Sequence, residues 1–218
     1  KPVSEPYYRD ESVELWHGDC LEVDAWLQAD VLVTDPPYGM AYESNFNRDR
    51  RNAKVGRGVA GDGTTESRDA ALSMWGDRPG LVFGTWRIAR PPAVRQVLIW
   101  HKSNAVGMGD LSLPWGPNHE DIYVLGAGFV GKRGSSVIPH PLQMSGDADR
   151  PDHPTPKPVG LMEALIEKCP RGVVADPFAG SGSTLIAARN LGRRAIGVEI
   201  DERYCEIAAH RLAQGVLL

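Results

Sequence analysis

Nowhere in the 218 residues does an apolar run approach the roughly 20 residues that a membrane-spanning helix requires, which excludes that class. Cysteine is scarce: Cys20, Cys169 and Cys205 are far apart, odd in number and outside any metal-ligand spacing. A disulfide framework and a zinc site are therefore not expected. The first residues, Lys1-Pro2-Val3-Ser4-Glu5, lack an apolar stretch of the kind a secretory leader carries, and the expectation is a reduced, cytoplasmic protein. An excess of positive charge is also missing, because the formal net charge is −4. Taken alone, that sum argues mildly against nucleic acid, but the distribution matters more. Acids crowd the start of the chain, whereas Arg48, Arg50, Arg51, Lys54 and Arg57 cluster in a stretch with no apolar period. The stretch at 41–66 reads as a mobile loop able to grip phosphates, or as a solvated surface loop.

What is present is a chain of alternating short strands and helices. Ser12–Trp16 alternates and reads as a strand, a helix is expected over about Leu21–Leu27, and Val31–Val33 reads as a buried strand. Strand, helix and strand form a βαβ unit with parallel strands. A helix with Ser67 as its N-cap follows, then strands at Leu81–Phe83, Val97–Trp100 and Ile122–Leu125. Pro91-Pro92 is expected to open a short helix. Residues 126–156 read as irregular and include Gly131-Lys132-Arg133-Gly134. The closing part reads helix (Val159–Lys168), strand (Arg171–Ala175), helix to Leu191 with Gly192 as its cap, strand (Ala195–Glu199) and helix (Glu202–Ala213). No linker divides the chain, so a single α/β domain is expected.

Two stretches carry chemistry. Val31–Val33 runs into Thr34-Asp35-Pro36-Pro37-Tyr38-Gly39. Neither proline has an N–H to give to a sheet, so the chain must leave as a stiff loop. That loop presents a carboxylate, carbonyl oxygens and an aromatic ring. Acceptors suit a substrate that donates N–H bonds, such as an exocyclic amino group, and the ring suits a flat base. A strand end with a proline-rich turn is the plainer alternative for this stretch by itself.

The second stretch is Asp176-Pro177-Phe178-Ala179-Gly180-Ser181-Gly182-Ser183-Thr184, between a strand and a helix. Gly180 and Gly182 let the backbone approach a ligand closely. Glu199 ends the next strand, where a carboxylate can accept bonds from two ribose hydroxyls. A dinucleotide fingerprint fits poorly, since Leu185 occupies the place of its third glycine and Asp176 would repel a pyrophosphate. No lysine follows Gly182, which excludes a P-loop. Asp176 suits a cationic cofactor such as S-adenosylmethionine, whose amino-acid end it could hold.

Read together, Asp35-Pro36-Pro37-Tyr38 and the 176–184 stretch resemble the paired motifs of the amino-methylating (N6-adenine/N4-cytosine) DNA methyltransferases. With the catalytic motif first and the cofactor motif last, the order resembles the permuted β class. Gly18-Asp19-Cys20-Leu21, Leu81-Val82-Phe83-Gly84, Asn118-His119-Glu120 and His153-Pro154-Thr155-Pro156-Lys157-Pro158 lie in the family's order. The resemblance covers most of residues 12–214. It implies a Rossmann-like fold with a seven-stranded, mostly parallel sheet and helices on both faces. It divides one domain, 1–218, into a catalytic half (12–125), a short target-recognition segment (126–156) and a cofactor half (157–218).

The resemblance also implies S-adenosylmethionine as methyl donor and double-stranded DNA as partner, and leaves a homodimer open. Carried over, Asp35 and the Pro36 carbonyl accept bonds from the target amino group, Pro37 stiffens the loop, and Tyr38 stacks on the flipped base. Asp19, Asp35, Asp176, Phe178, Ala179, Gly180, Gly182, Ser183, Thr184 and Glu199 belong to the cofactor site. Thr155 and Lys157 lie near the methionine end or the catalytic loop. DNA contacts are expected from Arg48, Arg50, Arg51, Lys54, Lys132 and Arg133, and no metal is expected. Asp35 favours adenine N6 over cytosine N4, because serine is commoner at that position in the N4 enzymes. A nucleic-acid-binding protein that keeps the cofactor and has lost turnover is the alternative from another class.

Overall fold

The structure, a computed structural model, describes residues 5–37, 43–44, 57–58, 64–107, 109–143, 151 and 156–214. In chain order it comprises β1 (Tyr8–Arg9), β2 (Val13–His17), a 3-10 turn (Ala25–Gln28), β3 (Val31–Thr34), β4 (Glu43–Ser44), β5 (Arg57–Gly58), α1 (Glu66–Trp75) and β6 (Gly80–Gly84). Then come β7 (Gln96–Lys102), β8 (His119–Leu125), β9 (Val137–His140), α2 (Val159–Ile166), β10 (Val174–Asp176), α3 (Ser183–Asn190), β11 (Ala195–Glu199) and α4 (Glu202–Gln214).

Nine strands form one sheet in the order β1-β2-β11-β10-β3-β6-β8-β7-β9, and β4 pairs with β5 separately. Strands β2, β11, β10, β3 and β6 are mutually parallel, β8 runs antiparallel to β6 and β7, and β9 is parallel to β7. Seven strands, β2 to β7 in that order, form the expected sheet, and β1 and β9 add an edge on either side. The two strands of the expected βαβ unit, β2 and β3, are parallel but not adjacent: β11 and β10 lie between them.

Both faces of the sheet are covered, so its inner strands read as continuous apolar runs. Successive residues still alternate. Val31 and Val33 pack with Leu81, Phe83 and Val174 beneath α2, α3 and α4. Leu32, Val82, Ala175 and Val198 face the other way, towards Trp26 and Trp75. Those two indoles stack with centroids 5.9 Å apart, and the Arg78 guanidinium lies 3.5 Å over Trp75. Arg78 also donates to the carbonyls of Leu27 and Ala29, which closes the 3-10 turn.

Several local expectations change. The helix expected at 21–27 is a turn: Asp19 Oδ1 takes the Leu21 N–H, the Asp19 carbonyl takes those of Glu22 and Val23, and Trp26 Nε1 donates to the Cys20 carbonyl. Pro91-Pro92 opens no helix, because Ala93 sits at φ 61° and reverses the chain. α1 begins at Glu66, with Thr65 flanking it; the Thr65 hydroxyl bonds the Asp69 carboxylate. β8 begins at His119, three residues before the strand expected at Ile122–Leu125. Residues 137–140, inside the stretch read as irregular, form edge strand β9, where Pro139 is tolerated. At the end of α3, Arg193 N–H reaches the Ala188 carbonyl and Gly192 N–H that of Arg189, with Gly192 at φ 66°, as its capping role requires.

The sheet has a switch point. From β10 the chain passes through α3 to β11 on one side, and from β3 through α1 to β6 on the other. Ligands of open α/β sheets bind outside the carboxyl ends of strands at such a point. Here the ends of β3 and β10 are joined by a hydrogen bond of 2.6 Å from Thr34 Oγ1 to Asp176 Oδ1.

Candidate active site

A cavity of about 470 Å³ opens at that switch point. Asp19, Asp35, Pro36, Pro37, Lys157, Asp176, Phe178, Ala179, Gly180, Ser183, Thr184 and Glu199 all line it. Residues from both halves of the chain therefore meet in one cavity. Tyr38 and Thr155 lie outside the described residues, as do Arg48, Arg50, Arg51 and Lys54.

The glycine turn is built from the backbone outward. Gly180 (φ 51°) and Gly182 (φ 82°) occupy the left-handed region, which L side chains enter at a cost. A Cβ on Gly182 would also stand 3.0 Å from Ala208 Cβ of α4. The missing third glycine has a counterpart on the strand. Leu185 packs where a Cβ on Gly197 would come within 2.8 Å of its Cδ1, so the close approach of α3 to the sheet is paid for from β11 instead.

Glu199 tethers this turn. Its Oε2 accepts the Gly180 N–H at 2.7 Å and its Oε1 the Asp201 N–H at 2.8 Å. Burial pushes its carboxyl above the usual range, against the pull of those donors. Ser183 Oγ, in the first turn of α3, is buried and has no hydrogen-bond partner among the described residues. A polar ligand in the cavity would satisfy it. Close backbone approach, a carboxylate row and an orphaned hydroxyl fit a hydroxyl-bearing group with cationic character. Among the described residues no group of three or more His, Cys, Asp or Glu could hold a metal.

Asp176 accepts from Thr34 Oγ1 and, at 3.1 Å, from the Phe178 N–H. Burial nonetheless pushes its carboxyl from 3.8 to about 6. The raised value means that the folded state favours the protonated form. The resulting stability, about 3 kcal/mol at full effect, is present below the unfolded value and is lost as pH rises through about 6. Asp176 should therefore contribute a fall in thermal stability between about pH 4 and pH 7, and Asp176→Asn should remove that contribution. Equal slopes in melting experiments on the two proteins would remove Asp176 as the cause.

The Asp35 loop is held from behind. Asp35 Oδ2 is ion-paired with Lys157 Nζ, which comes from the segment preceding α2 and is only 6% exposed. The sequence left Lys157 at the cofactor or at this loop; the structure brings it to the loop carboxylate. Glu120 Oε2 lies 3.3 Å from Lys157 Nζ, and Glu120 Oε1 lies 2.7 Å from Lys102 Nζ. Burial pulls the Lys157 ammonium down, but Asp35 and then Glu120 outweigh it, and its pKa stands above the ordinary value. Burial likewise raises the Glu120 carboxyl, and Lys157 and Lys102 bring it net below its ordinary value.

A family model described as DNA methylase, of the N6/N4 type, matches residues 100–210, about half the chain. YubD of Escherichia coli (strain K12), a methylase by its name, is 34% identical over 90% of this chain and 88% of its own length. The chain belongs to the N6/N4 DNA methylase family. The type II methyltransferase M.ScaI of Streptomyces caespitosus is 27% identical over 97% of this methylase and 85% of its own length. Among solved structures, the M1.HpyAVI–SAM complex superposes with a TM-score of 0.67 at 22% identity, over 92% of this chain and 98% of that one. The cytosine-N4-specific PvuII DNA methyltransferase superposes with a TM-score of 0.69 at 13% identity, over 97% and 90%. These likenesses establish the shared fold.

Not every expected site residue of the methylase meets the cavity. Lys132 and Arg133 follow the carboxyl end of antiparallel β8, where Lys168 Nζ donates to the Lys132 carbonyl. That places them at the end of the sheet opposite the cavity. Conversely, Arg87, Lys102 and Glu120 line the cavity without having been assigned a role from sequence. The Asn118-His119-Glu120 motif was the one available signal for Glu120; Lys102 carries none. Gly107 and Pro117, the neck of the loop after β7, also line the cavity, and that loop holds Trp115 79% exposed.

Proposed function

We propose that this methylase transfers a methyl group from S-adenosylmethionine to the N6 amino group of adenine in double-stranded DNA, as a permuted β-class enzyme of the restriction-modification kind. The observation that carries the reading is the shared cavity: the Asp35-Pro36-Pro37 loop and the turn at Ala179, Gly180 and Ser181 open into one space. When bound there, S-adenosylmethionine supplies an electrophilic sulfonium methyl. Glu199 would hold its ribose, Asp19 would lie near its adenine, Ser183 would bond its polar edge, and Asp176 would face its cationic end.

The chain's own residues do the rest. An aromatic amine is a poor nucleophile, since its lone pair is delocalised into the ring. The Asp35 carboxylate and the Pro36 carbonyl accept from its two protons, localise that pair and orient it. Because Pro36 and Pro37 offer no N–H, the loop presents acceptors without competing donors. Positioning and fixed electrostatics supply most of the acceleration. Tyr38 would stack on the extruded base and offset part of the few kcal/mol that extrusion costs. One domain, with recognition shared between segment 126–156 and the 41–66 stretch, fits this division of labour.

Asp35 at the head of the loop favours adenine. The test is transfer of a labelled methyl from S-adenosylmethionine to unmethylated duplex DNA, followed by digestion to nucleosides. Label in N6-methyladenine is expected. Label in N4-methylcytosine would keep the mechanism and overturn the base; absence of label with cofactor bound would point to a binding protein.

A further inference from the structure

Four charged side chains from four places in the chain meet behind the Asp35 loop. In order they are Asp35, Lys157, Glu120 and Lys102, and their signs alternate. Topology assembles them. Glu120 is the second residue of β8 and pairs across to Trp100 of β7, two residues before Lys102. Aromatic rings form the floor: Phe83 lies 5.0 Å from Lys157 Nζ and Trp100 lies 5.1 Å from Lys102 Nζ. Lys157 is buried, and Glu120 and Lys102 are largely so.

Stability alone does not explain this row. A buried ion pair stabilises a fold little better than apolar residues of the same volume, because desolvation offsets the attraction. Its geometry is directional, however. Lys157 touches Asp35 directly, and Glu120 reaches both ammonium groups with separate oxygens. Without Glu120, the Lys157 ammonium would lose one of the two carboxylates that offset the cost of its burial.

We propose that Glu120 is a positioning residue: by bridging Lys102 and Lys157 it keeps the Lys157 ammonium pressed against Asp35, and so keeps the Asp35 carboxylate aimed into the cavity. The inference rests on the reading of Asp35 as acceptor for the target amino group. It assigns the alkaline limb of turnover to Lys157. A neighbouring carboxylate favours the ammonium form, so removing Glu120 lowers the pH at which Lys157 loses its proton. Lys102 acts in the opposite sense on Lys157, since it is a like charge.

The experiment is kcat against pH, from about pH 6 to about pH 10, with saturating S-adenosylmethionine and duplex DNA. Wild type, Glu120→Gln and Lys102→Met are compared, and cofactor affinity is measured by calorimetry. Wild type, whose Lys157 is held above its ordinary value, is expected to keep a level rate up to about pH 10. Glu120→Gln is expected to keep its cofactor affinity and to fall about twofold or more by about pH 10, as its Lys157 loses the proton earlier. Lys102→Met is expected, like wild type, to show no such fall. A Glu120→Gln profile as level as that of wild type, with turnover lowered evenly at every pH, overturns the inference and leaves Glu120 a structural residue. If Glu120→Gln does not fold, Glu120→Asp decides: its shorter arm cannot span both ammonium groups, and a profile as level as that of wild type again overturns the inference. Failure of the methyl-transfer reading itself looks different, because wild type would then transfer no methyl to DNA at any pH.

Discussion

Replacing Asp35 with alanine should lower methyl transfer by about a thousandfold while leaving S-adenosylmethionine affinity near that of wild type. The carboxylate stands at the mouth of the proline loop, and the glycine turn that would cradle the cofactor is held by other groups. Removing an oriented group at a reacting centre costs about 10²–10³ in rate in comparable sites. The fold should survive. Breaking a buried ion pair costs about 3–5 kcal/mol when the other charge is stranded. Here Lys157 retains Glu120 at 3.3 Å, so the loss should be smaller. Asp35→Asn separates the contributions, because it keeps one acceptor oxygen and removes the charge that faces Lys157. Single-turnover kinetics with calorimetric cofactor titration is the measurement. Turnover of the alanine variant comparable to wild type would end the role assigned to Asp35.

The second large effect is expected at Glu199. Glu199→Ala should weaken S-adenosylmethionine binding by about a hundredfold, roughly 3 kcal/mol. Both oxygens are in use: one holds the Gly180 N–H and the other the Asp201 N–H. Hydrogen bonds to a charged acceptor are worth about 1.5–3 kcal/mol each. Their loss unties Gly180 from β11, and with it the turn against which a cofactor would lie. Glu199→Gln keeps one acceptor oxygen and should fall between the two. Isothermal titration with S-adenosylmethionine reads this directly, while DNA binding measured without cofactor should be unchanged. An alanine variant within a few-fold of wild type would remove Glu199 from the site.

Much of the site was legible because it depends on backbone chemistry. Proline withholds an N–H wherever it stands, so Asp35-Pro36-Pro37 had to leave the sheet. Gly180 and Gly182 take left-handed conformations that the sequence advertises by the absence of a Cβ. Glu199 was visible as an acid ending a buried strand. Its tie to Gly180 was not, since that contact joins residues 19 apart across a strand–helix–strand turn.

Other features depended on neighbours the sequence does not name. The turn at 21–28 was misread as a helix because Leu21, Trp26 and Leu27 are apolar. Asp19 and the Trp26 indole capture the bonds that a helix would have used. Strand β9 carries almost no apolar pattern. It forms because the open edge of β7 offers unpaired backbone groups, and the Trp100 indole ties it down through the His140 carbonyl. The place of Lys132 and Arg133, expected as DNA contacts, was not legible either: the antiparallel direction of β8 puts them at the end of the sheet away from the cavity.

By itself the sequence determined where strands end and what chemistry stands at each end: acceptors without donors after β3, a glycine turn after β10, an acid after β11. These are local consequences of residue type. Only the tertiary structure decided that the ends of β3 and β10 adjoin, through a bond between Thr34 and Asp176, 142 residues apart. It alone decided that Lys157, Glu120 and Lys102 stand behind Asp35. Strand order is set by which faces bury one another rather than by proximity along the chain, and a row of charges drawn from β7, β8 and the segment before α2 exists only once that order is in place.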